Sequence, residues 1–426
     1  MSQDHAAASE MDGQGDTGEH RTSPVWWGNG HAWLLTALTI SSFGDRISYI
    51  IIPFCLLMVD VPVASVAIVL GARAIGYAMV VLYGGVIADR VSRRRVMILS
   101  DLVRFGTQST TAVLVFAEHQ GVVMFVSLQF VFGAAEALFK PAAAGLIPEL
   151  VPEEFLERAN GLLGSAVNMG MIIGPVLGGL LVGTGLAGTG LIVDSATFLI
   201  SAVLLTRLPP SKQSCRPRQS ILLELRAGWE HLLARRILLL VIVASSLFEL
   251  LALAAVFSLG PVLANQALGG AHVWGLLVTA FGIGAVSGGL VTVKLSPRRP
   301  GVWCAVLLAI LSAQPLFLSS GLPIELIAVL QLLTGMSLTA FGAISGATTQ
   351  RLVPRHALSR VAAFDSLATT GLLPLGYLLV GGLAGLAGII PAMRIVSVLS
   401  IAICLAILAS PSVRESHVGR DRGHGR

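Results

Sequence analysis

The sequence predicts an all-α membrane protein with twelve transmembrane helices in two pseudo-symmetric six-helix bundles. Three observations carry this. Apolar runs of about 20 residues, each long enough to cross a bilayer, recur along nearly the whole chain. Lys and Arg cluster on alternate connections between those runs. The second half repeats the first at a near-constant offset. Composition agrees: the 426 residues are 54% hydrophobic and 12% charged, with a mean hydropathy of +0.82. A soluble domain of that size needs roughly twice the charge to cover its surface. No stretch has room for a large soluble domain, which excludes a catalytic domain on a membrane anchor and a sensor with a soluble output domain.

The elements follow in order. Residues 1–30 are polar and lack the basic start and short apolar core of a signal peptide, so they read as a disordered cytoplasmic tail. A first bundle, 31–207, holds spans at 31–59, 63–88, 96–117, 121–148, 160–185 and 188–207. The segment 208–236 is a basic cytoplasmic linker with an amphipathic stretch suited to the membrane surface. A second bundle, 237–411, holds spans at 237–264, 272–294, 301–320, 323–348, 361–385 and 388–410. A basic cytoplasmic tail, 412–426, ends the chain. With both termini inside, 23 of the 28 Lys and Arg lie on cytoplasmic segments. The other five (Arg46, Arg73, Arg104, Lys140 and Arg394) sit within spans. This satisfies the positive-inside rule and places a multi-pass protein in the cell membrane with both ends cytoplasmic.

The repeat is legible in loop residues, where apolar bias cannot produce it. Residues 150–161, LVPEEFLERANG, match 352–363, LVPRHALSRVAA. Pro152 falls on Pro354, Arg158 on Arg360, Gly174 on Gly376 and Gly179 on Gly381. Near the second and eighth spans, Gly84 and Gly85 fall on Gly288 and Gly289, and Arg94 and Arg95 on Arg298 and Arg299. Two similar six-helix halves suit a transporter whose halves rock about a midplane site.

Three motifs stand out. The loop after the second span, GGVIADRVSRRRVM, carries Gly85, Asp89, Arg90, Arg93 and Arg94, with Ser92 where a glycine would complete the pattern G-x-x-x-D-R-x-G-R-R. The connection before the fifth span is acidic, with Glu149, Glu153, Glu154 and Glu157 around Arg158; these acids are placed to pair with the arginines at 93–95. The fifth span carries a glycine ladder: Gly161, Gly170, Gly174, Pro175, Gly178 and Gly179. Small residues at that spacing let two helix backbones approach closely in lipid, and the proline bends the helix.

These strings resemble the major facilitator superfamily, in the branch of macrolide-efflux and enterobactin-exporter-type proteins. The helix-1 string FGDRISYIIIPFCLL, DLVR at 101–104 and LIVDSATFLISA at 191–202 add to the resemblance. It implies a major facilitator fold and a secondary exporter, with the ladder as the antiporter signature of drug exporters. It also implies a cytoplasmic latch in which Asp89 faces the N-terminus of the eleventh helix. Asp101, Arg104 and Arg158 would join that latch with Gly85, Arg90, Arg93 and Arg94. The second half has Val293 at the Asp89 position, so a strong latch is expected only in the first half. The fourth helix lacks the arginine before a Gln-Gly pair that many proton-linked drug exporters carry. The implied cargo is an amphipathic small molecule such as a drug or secondary metabolite, exchanged for protons by a monomer; a siderophore is the alternative.

Charges inside the bilayer need a reason. Asp45 and Glu249 lie near the middle of the first and seventh spans and are repeat partners, as are Ser41 and Ser42 with Ser245 and Ser246. Acids at mirrored positions on cavity-lining helices suit proton carriage. Glu136 and Lys140, four apart on the fourth span, make a natural ion pair that is either static or displaced by proton or cargo. Asp194 reads as a packing or capping residue. Arg73 and Asp365 are buried charges whose partners the sequence does not assign. No cofactor or metal is implied: the four cysteines are scattered, and no His-x-x-x-His or His-Glu-x-x-His set points to a membrane enzyme. No Gly-x4-Gly-Lys-Ser/Thr loop is present for direct use of ATP, and no nucleic-acid partner is expected.

Overall fold

The computed structural model describes residues 29–58, 62–90, 92–118, 121–151, 155–209, 235–292, 297–353 and 371–414, with residues 361, 365 and 368 between the last two stretches. The described residues are helical throughout, with no strand. The first six helices are α1 Asn29–Leu57, α2 Val63–Arg90, α3 Arg93–Phe116, α4 Val122–Leu150, α5 Leu156–Gly183 and α6 Ala187–Thr206. The next six are α7 Arg236–Leu268, α8 Ala271–Thr292, α9 Pro300–Leu318, α10 Ile324–Leu352, α11 Leu373–Ala387 and α12 Ile389–Ala409. A short α13, Pro411–Arg414, follows.

Among the described residues, ten of these helices are long and apolar enough to cross a membrane. The other two spans have local explanations. α3 opens with three arginines and carries Asp101 and Arg104, which lower its hydropathy. α11 has 15 residues in the stretch described without a break, and Val361, Asp365 and Ala368 upstream are also helical. Only helices satisfy every backbone group within lipid without closing a barrel, so the composition leaves this architecture as the solution.

Each half packs within itself. In the first, α2 lies on α4, α3 on α4 and α6, and α1 on α5 and α6. In the second, α8 and α9 lie on α10, and α9 on α12. Between the halves, α5 meets α8 and α2 meets α11. These junctions lie toward one end of the bundle. There one apolar cluster mixes the halves, Ile50, Phe54, Val66 and Leu70 with Leu259, Val262, Trp274 and Val380. At the opposite end the clusters are separate: Leu34, Met97, Leu146 and Leu205 belong to the first half, while Leu238, Ile242 and Val361, and Cys304 with Ile344, belong to the second. That opposite end carries Arg93, Arg94, Arg95, Arg207, Arg235, Arg236, Arg298, Arg299 and Arg351, and is called the basic end below. Among the described residues, the halves therefore share a core at the far end and keep separate cores at the basic end.

α7 contains two π-helical turns, Glu249–Leu253 and Ala264–Leu268. Each inserts a residue into the α-helical ladder, and such turns recur at functional positions. The first begins at Glu249, one of the mirrored acids.

Candidate transport site

A charge network fills the middle of the first bundle. Arg73 on α2 is its centre. Its Nη2 lies 2.9 Å from Glu136 Oε2 on α4 and 3.4 Å from Asp45 Oδ1 on α1, and its Nε donates to Glu136 at 3.1 Å. The guanidinium is held between two rings, 4.7 Å from the Tyr49 centroid and 4.3 Å from that of Phe132. Arg104 on α3 repeats the arrangement between Phe139, at 4.2 Å, and Phe198, at 4.4 Å. It pairs with Asp101 one turn away, and its Nη1 lies 3.8 Å from Asp45 Oδ2. Asp45 thus bridges two arginines, one with each oxygen. Lys140 Nζ closes the chain 2.8 Å from Glu136 Oε1 and faces the Tyr77 ring.

Three acids meet three bases, and the network is neutral as a whole, which makes its burial tolerable. It has a graded exposure. The Asp101 and Arg104 side chains are 0% and 2% exposed, that of Asp45 is 20%, and that of Lys140 is 59%. The chain of pairs therefore runs from the sealed bundle interior to an open surface.

Several sequence expectations are placed here. Arg73 has its partners, on helices 28 and 63 residues away in sequence. Asp101 and Arg104, grouped with the cytoplasmic latch above, lie in the buried network instead. Asp101 Oδ2 accepts from Ser201 on α6 at 2.6 Å, and the pairs of both residues lie within the bundle. A carboxylate and a guanidinium this deep need each other before they can serve a surface latch. Asp194 is fully buried on α6 and accepts a hydrogen bond from the Gln108 amide on α3. It joins two helices there, and caps none.

At the basic end, Arg93 Nη1 lies 2.6 Å from Glu149 Oε1 and also donates to the Gly145 carbonyl. Arg94 donates to the Leu205 carbonyl at 2.9 Å and to that of Thr206. Gly85, Asp89, Arg90 and Arg158 lie outside the residues whose side chains are described.

The mirrored acid of the second half has different surroundings. Glu249 lines a cavity of about 540 Å³ at the basic end between α7, α9 and α10, together with Asp365, Ser245, Phe341, Thr348 and Thr349. Among the described residues, no Lys, Arg or His lines this cavity. The repeat thus places Asp45 among cations and Glu249 beside a second carboxylate. The sequence marked both positions but not this asymmetry, because the cations come from α2 and α3, whose counterparts in the second half carry none there.

The ladder on α5 serves two neighbours. A side chain at Gly174 would meet Arg46 Cβ of α1 at 2.5 Å, and one at Gly178 would meet the Ile47 carbonyl at 2.9 Å. Gly170 faces Phe43 and Arg46 more loosely. Gly179 turns the other way, where a side chain would come 2.7 Å from the Ala271 carbonyl of α8, and a side chain on Gly275 of α8 would meet the Pro175 carbonyl at 2.5 Å. So Gly174 and Gly178 seat α1 inside the first half, while Pro175 and Gly179 form the joint between halves.

Twelve helices in two packed halves, with buried charges inside the first, are the architecture of a membrane transporter and not of an enzyme. The chain belongs to the Major Facilitator Superfamily, which it matches over residues 34–322. It is 25% identical over 408 residues to the multidrug efflux pump Tap of Mycolicibacterium fortuitum, covering 90% of this chain and 95% of that one. It is 30% identical over 260 residues to the enterobactin exporter EntS of Shigella boydii, a match that spans 61% of this chain and 60% of the relative. Among solved structures it resembles the POT family transporter PepTSo, with a TM-score of 0.74 at 12% identity, covering 92% of this chain and all of that one. A bacterial homologue of the lysosomal transporter Spinster, inward-facing and unoccupied, gives a TM-score of 0.67 at 14% identity, covering 94% and 100%. At those identities the structures establish the fold alone.

Proposed function

We propose that the protein exports an amphipathic small molecule, neutral or cationic, in exchange for protons by alternating access. On this reading the basic end is cytoplasmic, both termini lie inside, and the described conformation is open to the cytoplasm. The observation that carries the reading is the bridging position of Asp45. It is held at 3.4 and 3.8 Å by two arginines whose shorter contacts go to Glu136 and Asp101. A proton on Asp45 would cancel its pull on α2 and α3 without leaving either arginine unpaired. That lets a proton change the packing of three helices at small cost. Glu249, on the wall of the second half's cavity, supplies charge that a cationic cargo would meet. The efflux role named for Tap and the ladder on α5 support the outward direction of cargo movement.

The test is uptake of labelled amphipathic cations and neutral compounds into inside-out vesicles with an acidified lumen. Export coupled to protons gives accumulation that collapses with a protonophore. Accumulation indifferent to the gradient would remove the proton from the mechanism. A second reading, siderophore export, is favoured by the similarity to the enterobactin exporter and by the exposed Lys140. Enterobactin belongs in the same panel, and its selective uptake would establish that reading.

A further inference from the structure

The second bundle carries a groove on its outer surface that is separate from the cavity lined by Glu249. α10 is its floor, and α8 and α9 are its walls. Val291, Trp303, Phe317, Leu333, Ala340 and Ile344 line it, and its volume is about 400 Å³. Val291, Trp303 and Leu333 are large apolar side chains left exposed, so the groove opens toward the bilayer. From Trp303 to Phe317 it follows about 20 Å of helix, more than the depth of one leaflet, half of a core about 30 Å thick. A trough of this length and chemistry suits a hydrocarbon chain.

The end near Trp303 is the basic end. Arg298 and Arg299 stand directly before α9, exposed, and make no ion pair or side-chain hydrogen bond to the described residues. Trp303, one turn inside, is a residue type that settles at the headgroup level. The first half differs at the same place. Its Arg94, the repeat partner of Arg298, is engaged by the Leu205 and Thr206 carbonyls, while Arg95, the partner of Arg299, is exposed as Arg299 is. The second half thus leaves both adjacent cations, Arg298 and Arg299, without an ion pair or side-chain hydrogen bond to the described residues, beside an apolar trough.

We propose that this groove, with Arg298 and Arg299 at its mouth, binds an anionic phospholipid of the leaflet at the basic end. One acyl chain lies along α10 and the phosphate sits on the two arginines. Basic sites between transmembrane helices take anionic headgroups in this way. The site is independent of the cargo and of the coupling ion.

The experiment uses the full chain in phosphatidylcholine vesicles that contain a small fraction of lipid with brominated acyl chains, which quench nearby tryptophan. Trp303 emission is taken as the difference between wild type and Trp303→Phe, because five other tryptophans contribute background. Brominated phosphatidylglycerol is expected to quench Trp303 at a lower mole fraction than brominated phosphatidylcholine, by about 5-fold per arginine. Arg298→Ala/Arg299→Ala, at exposed positions that leave the fold intact, is expected to abolish the preference and keep the phosphatidylcholine quenching. Equal quenching of wild type by the two brominated lipids would mean bulk bilayer contact only and would overturn the proposal. So would a preference that survives the double substitution.

Discussion

Asp45 touches two arginines, and neither depends on it. Arg73 keeps Glu136 when Asp45 is neutral, and Arg104 keeps Asp101. Asp45→Asn is therefore expected to leave the fold and cargo binding within a few-fold of wild type while ending transport driven by a pH gradient; vesicle uptake with and without the gradient measures this. Glu249→Gln is expected to act in the same direction. If both variants keep gradient-driven uptake, the acids are not the proton carriers. Arg104 has the opposite character. Its loss strands Asp101 in a fully buried site, so Arg104→Ala is expected to cost about 3–5 kcal/mol of stability, read as a fall in the unfolding midpoint of the purified protein. The sequence made the Asp101–Arg104 spacing visible, since residues three apart share a helix face. It could not reveal that Ser201 and Asp45 complete the group, because those contacts join helices far apart in the chain. For the same reason Arg73 stood in the sequence as a charge without a partner.

At the scale of the element, α5 carries two kinds of glycine. Gly174 seats α1 within one bundle, so Gly174→Leu is expected to cost about 1–3 kcal/mol as an overpacking defect, seen in thermal unfolding. Gly179 lies between bundles, where a larger side chain can be accommodated if the halves rotate apart at the far end. Gly179→Leu is expected to spare stability and shift the equilibrium toward a state closed at the basic end. Spin labels at exposed Arg95 and Arg351 would report a shorter distance than in the unsubstituted background; an unchanged distance would remove Gly179 from the joint. The ladder was legible in the sequence because small residues at a fixed spacing have few other uses in lipid. Which glycine meets which helix was not legible, since Gly178 and Gly179 are adjacent and point to different neighbours. Span existence was legible from hydropathy, and the polarity of α3 was outweighed by its place between loops. The π-helical turn at Glu249 left no signal in the sequence.

For the whole molecule, the far-end contact of α2 and α11 offers a lock. A side chain at Gly71 would place its Cβ 3.6 Å from Tyr377 Cβ, within disulfide range. In a cysteine-free background, Gly71→Cys with Tyr377→Cys is expected to halt turnover when oxidised and recover on reduction, while cargo still binds from the basic end. Turnover that survives oxidation would mean that the far end need not open. The polarity of α3 reaches further, into how the chain enters the membrane. Asp and Arg near a helix centre each add about 2.5–3.5 kcal/mol to the cost of insertion, and α3 carries both before their partners on α6 have been synthesised. Asp101, one turn away on α3 itself, and Asp45 on α1 are already present to meet Arg104. The third segment is thus expected to enter the bilayer poorly by itself and well when α1 and α2 precede it. Membrane insertion would then be an assembly step, in which early helices hold a place for a later one.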